Sequence, residues 1–223
     1  DHGRKLDFTS SSILPIVSSC MVPLYESVAV ARSKARKGKV PRSNGLDQDE
    51  THLSNLFQFA VDIITLQRSP PSDEDIETLL AQIFTICKKT SVAADIKNSL
   101  AVFDAIILSA EVPDASFIEL LEVLCSIHAS VKSLSGPTSR AVRNLAKSRR
   151  QVEMVNTLHS FLLEASDNPS RNLNVVRGAI YVFTDLVRAY GQDRMPQLSF
   201  ERLVESLQVA VKKDDGRVDS DAL

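Results

Sequence analysis

The chain has 223 residues, of which 43% are apolar and 5% aromatic, with 26 basic and 28 acidic residues and a formal net charge of −2. This apolar content suffices for a continuous core of one or two domains, and the absence of Trp makes that core largely aliphatic. The nearly balanced charge gives no global field that would favour nucleic acid or an anionic membrane.

The few glycines and prolines divide the chain into stretches of helical length. Seven glycines and nine prolines occur, and most lie between segments whose apolar residues recur at helical spacing. Paired helices that recur about every 35–45 residues are typical of an α-solenoid, in which each repeat buries its face against its neighbours. We therefore predict an all-α fold, a right-handed α-solenoid of about four to five HEAT/armadillo-like helix pairs.

The predicted elements follow in chain order. Pro15 and Pro23 each remove a backbone N–H, so we place the first helix from Pro23 to Lys37, followed by a linker over residues 38–48. Four helix pairs then start near residues 49, 93, 138 and 173. The predicted helices are 49–68, one that opens at Ser72, 93–110, 114–131, 138–147, 152–165, 173–190 and 199–211. The predicted domains are 1–48 (N-terminal helix and basic linker), 49–213 (solenoid) and 214–223 (charged tail).

The residues suggest no catalytic, metal or cofactor chemistry. The acidic run after Ser72 has the position of a capped first helical turn, where carboxylates are favoured by the helix dipole, and it lacks the glycine of a calcium loop. Cys125 and His128 lie one turn apart, but no second ligand pair would complete a zinc site. The three cysteines are widely spaced, as expected of reduced thiols in an intracellular protein. We predict no enzyme activity and no cofactor.

A basic run is the first candidate interaction site. It contains Arg32, Lys34, Arg36 and Lys37 and continues to Lys39 and Arg42. Such a run can bind phosphates or an acidic partner, or can simply be a solvated helix end, where cations favour the dipole. Without interleaved aromatic residues it does not favour nucleic acid, which we do not expect as a partner.

Three charged residues are candidates for polar contacts between repeats. Asp104 lies close to a buried apolar stripe, where a carboxylate is costly unless it is paired. We predict a hydrogen bond or ion pair from Asp104 to an arginine of the next repeat, such as Arg143, with Arg177 in the same role one repeat later. Gly178, the one glycine within a predicted helix, indicates close approach of a neighbouring helix.

The chain start carries no targeting signal that we recognise. The first residues lack the apolar stretch of a signal peptide, and we expect no segment to have the apolar length of a membrane span, roughly 18–20 residues. We therefore expect no transmembrane segment. The start at Asp1 rather than Met is what we expect of a fragment of a longer protein.

One stretch resembles a known family. Residues 83–105, IFTICKKTSVAADIKNSLAVFDA, resemble the N-terminal HEAT-repeat region of the tuberin family, and the short motifs Arg143-Asn144-Leu145 and Arg177-Gly178-Ala179 fit the same region. The matching positions are Cys87, Thr90, Asp95, Ile96, Ser99, Leu100, Val102, Asp104 and Ala105. None of these motifs is catalytic, so the specificity of the match comes from their order and spacing.

The resemblance implies a function. Tuberin pairs with the coiled-coil protein hamartin in a complex that turns off the small GTPase Rheb and restrains growth signalling through TOR. The N-terminal solenoid of the family binds hamartin, whereas the GTPase-activating domain lies at the C-terminus and has no match here. We expect a cytoplasmic scaffold, with peripheral attachment to lysosomal or vacuolar membranes, that contacts Rheb only through the absent C-terminal domain. The alternative is a generic solenoid adaptor in transport or trafficking that binds acidic segments through the basic run.

Overall fold

In the computed structural model of the chain, residues 10–37, 44–66, 70–147, 150–167, 173–190 and 201 are described. The described residues form helices joined by short turns and contain no strand, in a helical repeat-like packing, so the predicted all-α class of HEAT/armadillo-like helix pairs is confirmed. The helices are α1 (Ser10–Arg36), α2 (Asn44–Leu66), α3 (Asp73–Lys89), α4 (Ala93–Ser109), α5 (Asp114–Ser130), α6 (Ser135–Lys147), α7 (Gln151–Asp167) and α8 (Leu173–Tyr190).

The first helix is longer than the prolines led us to expect. The prediction that it starts at Pro23 is wrong, because α1 runs from Ser10 through both Pro15 and Pro23. A proline inside a helix costs about 3 kcal/mol. The inward face of α1 buries five apolar side chains, each of which contributes about 1.5–3 kcal/mol, so burial outweighs both prolines. These side chains are Leu14, Val17, Met21, Tyr25 and Val28.

Several helix boundaries agree with the prediction. The helix α8 has the predicted bounds, and α4 ends one residue before its predicted end. Ser72 caps α3, accepting a hydrogen bond from the Asp75 amide at 3.2 Å, so the interpretation of the acidic run as a capped helix start is confirmed.

The predicted linker 38–48 is too long at its C-terminal end, because α2 begins at Asn44. The predicted helix 199–211 and tail 214–223 lie outside the described residues, apart from Glu201.

The chain divides into two compact units, Asp1–Phe117 and Ile118–Leu223. In the first unit, α1 packs against α2 and α3, α2 packs against α4, and α3 contacts α4. The packing therefore makes α1–α2 and α3–α4 the stacked pairs, one helix earlier than the pairs predicted from residue 49. The prediction missed this because it treated α1 as a short separate helix. Phe84 of α3 and Phe103 of α4 meet in the core with ring centroids 5.8 Å apart.

The second unit has a core of its own. In it α6 and α7 both pack against α8 and contact each other. Its largest buried side chains include Phe161 of α7 and Phe183 of α8. Gly178 of α8 faces the backbone of α5, where a Cβ atom at position 178 would lie 1.9 Å from the carbonyl oxygen of Cys125. The close helix approach that Gly178 predicts is confirmed, since only glycine fits at that separation.

Candidate interaction surface

The basic run divides into one inward and several outward residues. Arg32 turns into the first unit, where its side chain is 16% exposed. Lys34, Arg36 and Lys37 are exposed at the C-terminal end of α1. The remaining members of the run, Lys39 and Arg42, lie outside the described residues. A partner-binding role for the run stays a prediction, and its exposed representatives are Lys34, Arg36 and Lys37.

Arg32 joins three helices of the first unit. Its Nη1 and Nη2 donate to Asp95 Oδ2 and Oδ1 of α4 at 2.6 and 3.1 Å, and its Nε donates to Glu50 Oε1 of α2 at 2.7 Å. Thr90, which follows α3, donates to Asp95 Oδ2 at 2.9 Å. Hydrogen bonds to Asp95, and then to Glu50, raise the pKa of Arg32 above its already high ordinary value, so the guanidinium stays charged. We name these four residues the Arg32 cluster.

Sequence reasoning missed the Arg32 cluster. Asp95 is 2% exposed, yet the sequence marks it only as a position shared with the tuberin family. The available signal was a carboxylate in the first turn of a largely apolar helix. Its cation is 63 residues away along the chain, a separation that helical periodicity cannot reveal.

The three predicted inter-repeat residues occupy different units. Asp104 is half-buried on α4 in the first unit, whereas Arg143 is exposed on α6 and Arg177 half-buried on α8 in the second. The Asp104–Arg143 contact therefore stays a prediction. None of these three residues is without a partner.

The second unit contains a polar contact that sequence reasoning did not find. His128 Nε2 of α5 lies 2.9 Å from Asp185 Oδ2 of α8 and 3.2 Å from Ser139 Oγ of α6. Ser139 Oγ also donates a hydrogen bond to the same Asp185 oxygen. The rings of His128 and Tyr181 lie 5.5 Å apart. We name His128, Ser139 and Asp185 the His128 cluster; it ties α5, α6 and α8 together.

The geometry of the His128 cluster differs from that of a hydrolase triad. In a triad the serine and the carboxylate engage opposite nitrogens of the imidazole. Here both engage Nε2, and within the described part of the chain Nδ1 is buried without a hydrogen-bond partner. Cys125, one turn before His128, is buried. No group of three or more metal-ligating side chains occurs among the described residues.

The three cysteines lie in different environments. Cys20 is exposed on α1, Cys125 is buried on α5, and Cys87 of α3 retains some accessible surface. Burial of its thiol raises the pKa of Cys87 from 9.0 to about 11, against a smaller opposing effect of a hydrogen bond with Ser99. Because the thiolate is the reactive form, Cys87 is poorly nucleophilic near neutral pH.

One side of α1 points away from the other helices of its unit. We name it the outer face of α1 and define it by exposed residues at helical spacing: Ile16, Cys20, Pro23, Ser27, Val30, Lys34 and Lys37. Ile16 and Val30 are 63% and 54% exposed. Other exposed apolar residues of the first unit are Phe59 and Leu66 of α2 and Leu108 of α4.

Apolar residues occur on both the inward side and the outer face of α1. The expectation that no segment has the length and apolar character of a membrane span is wrong, because among the described residues the helical segment Ile13–Arg36 has both. Length and composition alone are weak evidence, since core helices and signal sequences meet the same criterion. The inward side of α1 packs against α2 and α3, as the side of a core helix does.

The comparisons with known proteins agree with the motifs. Residues 1–223 match the family described as Domain of unknown function (DUF3384). No curated protein matches the chain in sequence. A solved structure described as the TSC2 N-terminus (TSC2 being tuberin) has a TM-score of 0.80 and 25% sequence identity, and the match covers 92% of this chain. The chain spans 50% of that structure.

These matches confirm the tuberin-like resemblance predicted from residues 83–105, 143–145 and 177–179. The chain belongs to the DUF3384 family.

Proposed function

We propose that the chain is a non-catalytic scaffold that binds the coiled coil of hamartin and so helps to assemble a complex that regulates Rheb and growth signalling. The observation that carries the proposal is the similarity to the TSC2 N-terminus, which extends over 92% of this chain at 25% identity. The tuberin resemblance implies hamartin as the partner of this region.

The contacts within each unit suit a scaffold. Partner helices bind best to surfaces that need no reordering, because the entropy lost on ordering subtracts from affinity. The Arg32 cluster fastens α1 to α2 and α4, and the His128 cluster fastens α5 to α6 and α8. Each cluster contains a contact between residues far apart in sequence, 63 and 57 positions respectively, which supports preorganised helical surfaces within each unit.

In this proposal the chain does not itself activate the GTPase. By the family resemblance, Rheb-directed activity belongs to a C-terminal domain, and this chain spans half of the solved N-terminal structure. We expect the chain alone to leave the rate of GTP hydrolysis by Rheb unchanged. We also propose a cytoplasmic location, with peripheral recruitment to lysosomal or vacuolar membranes through the assembled complex.

Calorimetry tests the proposal directly. The folded chain is titrated with a hamartin coiled-coil peptide, and we expect a measurable heat of binding with both at tens of micromolar, the range in which a dissociation constant near 10 µM is readily seen. Absence of heat with the folded chain would reject the proposal.

A second candidate function rests on the exposed cations. Lys34, Arg36 and Lys37 project from the end of α1, so an adaptor for acidic protein segments is the alternative. Binding by these side chains alone would be weakened strongly by salt, because exposed charges are screened within about 8 Å at physiological ionic strength. Calorimetry with an acidic disordered peptide at 50 and 500 mM salt discriminates: tight, salt-sensitive binding of that peptide favours the adaptor.

A further inference from the structure

The outer face of α1 has a regular spacing. Ile16, Pro23, Val30 and Lys37 are seven residues apart, and all are exposed. Side chains at this spacing drift by only about 20° per step around a straight helix, so they form one continuous line. Cys20, Ser27 and Lys34 form a second line beside it at the same spacing.

This face has the composition of a surface that is normally covered. A helix that is apolar on all sides is ordinarily buried on all sides. The inward side of α1 is covered by α2 and α3, whereas Ile16 and Val30 are more than half exposed. They are 14 residues, or about 21 Å, apart along the helix. Apolar side chains exposed along one line of a helix indicate an interaction site more than apolar side chains exposed singly.

The shape of the outer face of α1 favours a helical partner. Large side chains at Ile16 and Val30 are separated by the small residues Cys20 and Ser27, which leave room for the side chains of a second helix. A helix that lies on a membrane instead needs a broad apolar face with cations along its polar side. The exposed cations of α1 are confined to its last turn and the residue after it: Lys34, Arg36 and Lys37.

The charge distribution along the outer face of α1 defines the chemistry of its partner. From residue 13 to residue 33 the charged residues of α1 are Glu26, which pairs with Lys89, and Arg32, which is committed to Asp95 and Glu50. Positive charge is therefore concentrated at one end of an apolar seam. A complementary helix carries apolar side chains at seven-residue spacing and carboxylates in the turn that meets Lys34 and Lys37.

We propose that the outer face of α1 is the docking seam for one amphipathic helix of a coiled-coil partner, with apolar contacts along Ile16–Val30 and carboxylates opposite Lys34 and Lys37. This inference rests on the proposed function and deepens it, because it names the surface that receives the coiled coil.

Binding of a fluorescently labelled hamartin coiled-coil peptide to the full chain tests the seam. The variant Ile16→Asp/Val30→Asp changes two exposed side chains, so folding is retained, and we expect its affinity to fall at least about tenfold. The matched control is Phe59→Asp/Leu108→Asp, which places the same charges at exposed apolar positions of α2 and α4. We expect the control to bind within about threefold of the natural chain.

Exchanging the charges of the chain and the peptide tests the orientation of the partner helix on the outer face of α1. Lys34→Glu/Lys37→Glu is expected to weaken binding about tenfold, and a peptide whose facing glutamates are replaced by lysines is expected to restore it. Cys20 provides an independent readout, because this exposed thiol lies within the seam, Cys125 is buried and the Cys87 thiol is poorly ionised. Bound partner should slow maleimide labelling of Cys20, and a bulky adduct at Cys20 should block binding.

The outcomes separate the two proposals. If the natural chain does not bind the peptide, the proposed function fails and this inference fails with it. If the natural chain binds and the Ile16→Asp/Val30→Asp variant binds equally well, the seam is wrong while the proposed function stands. Sedimentation of the chain with phosphatidylserine vesicles, lost in the same variant, would overturn the seam in favour of a lipid surface.

Discussion

Arg32 and Asp95 form a two-point ion pair between α1 and α4, with distances of 2.6 and 3.1 Å from the guanidinium nitrogens to the carboxylate oxygens. Asp95 is 2% exposed, and the pair connects residues 63 positions apart. The pair fixes the inward side of the helix whose outward side we propose as a docking seam.

Removing Arg32 should leave a buried charge without its partner. Stranding one member of a buried ion pair typically costs about 3–5 kcal/mol, and Arg32 is partly exposed, so we expect Arg32→Met to lower the free energy of unfolding by about 3 kcal/mol. The double variant Arg32→Met/Asp95→Leu should recover most of that loss, because two apolar side chains replace both charges. Urea denaturation measures both. Equal destabilisation of the single and double variants would show that the ion pair is not the cause.

Gly178 should be intolerant of any side chain. A Cβ atom there would lie 1.9 Å from the Cys125 carbonyl oxygen and 2.3 Å from its carbonyl carbon, and both are backbone atoms that cannot move aside. We expect Gly178→Ala to destabilise the second unit by about 3 kcal/mol or more. The matched control is Gly136→Ala, because nothing lies within 4 Å of a Cβ atom at that position. Thermal unfolding that is unchanged in Gly178→Ala would refute the close approach of α5 and α8.

Cys87 should make the protein sensitive to alkali. Its pKa is about 11 in the folded chain and 9.0 ordinarily, so the folded state holds the proton more tightly. The resulting stabilisation is complete below pH 9 and is lost as the pH rises from about 9 to 11. Over this interval the natural chain should lose about 2–3 kcal/mol more unfolding free energy than Cys87→Ala, in which the titrating group is absent. Parallel pH profiles for the two proteins would contradict the assignment.

The His128 cluster should support structure and not hydrolysis. Asp185→Ala removes the acceptor shared by His128 and Ser139, and we expect a loss of about 1–3 kcal/mol in the free energy of unfolding. Ser139→Ala keeps the His128–Asp185 contact and should cost about 1 kcal/mol. A fluorophosphonate probe should leave Ser139 unlabelled, because Nε2 serves both neighbours and Nδ1 lacks the carboxylate that a triad requires. Labelling of Ser139 would revive an enzymatic role.

The local features of the fold could be predicted from the sequence, because they depend on neighbours within a few residues. The bounds of α8, the Ser72 cap and the close packing at Gly178 all follow from spacing, capping chemistry and a missing side chain. The same local reasoning placed the start of α1 wrongly at Pro23, because the burial of the inward face of α1 outweighs the free-energy cost of its two prolines. That burial depends on α2 and α3, which a local pattern does not include.

The long-range contacts could not be predicted from spacing. Nothing near Asp95 or Asp185 in sequence shows which cation or imidazole they meet, since their partners are 63 and 57 residues away. The resemblance to the tuberin family contained part of this information: Thr90 and Asp95 are among its matching positions, and both belong to the Arg32 cluster.

The dissociation constant between the full chain and the hamartin coiled coil tests the central claim most directly. Fluorescence anisotropy of the labelled coiled coil, titrated with chain that shows helical circular dichroism and cooperative unfolding, should give saturable binding with a dissociation constant of about 10 µM or below. Unchanged anisotropy up to about 100 µM of folded chain would contradict the account.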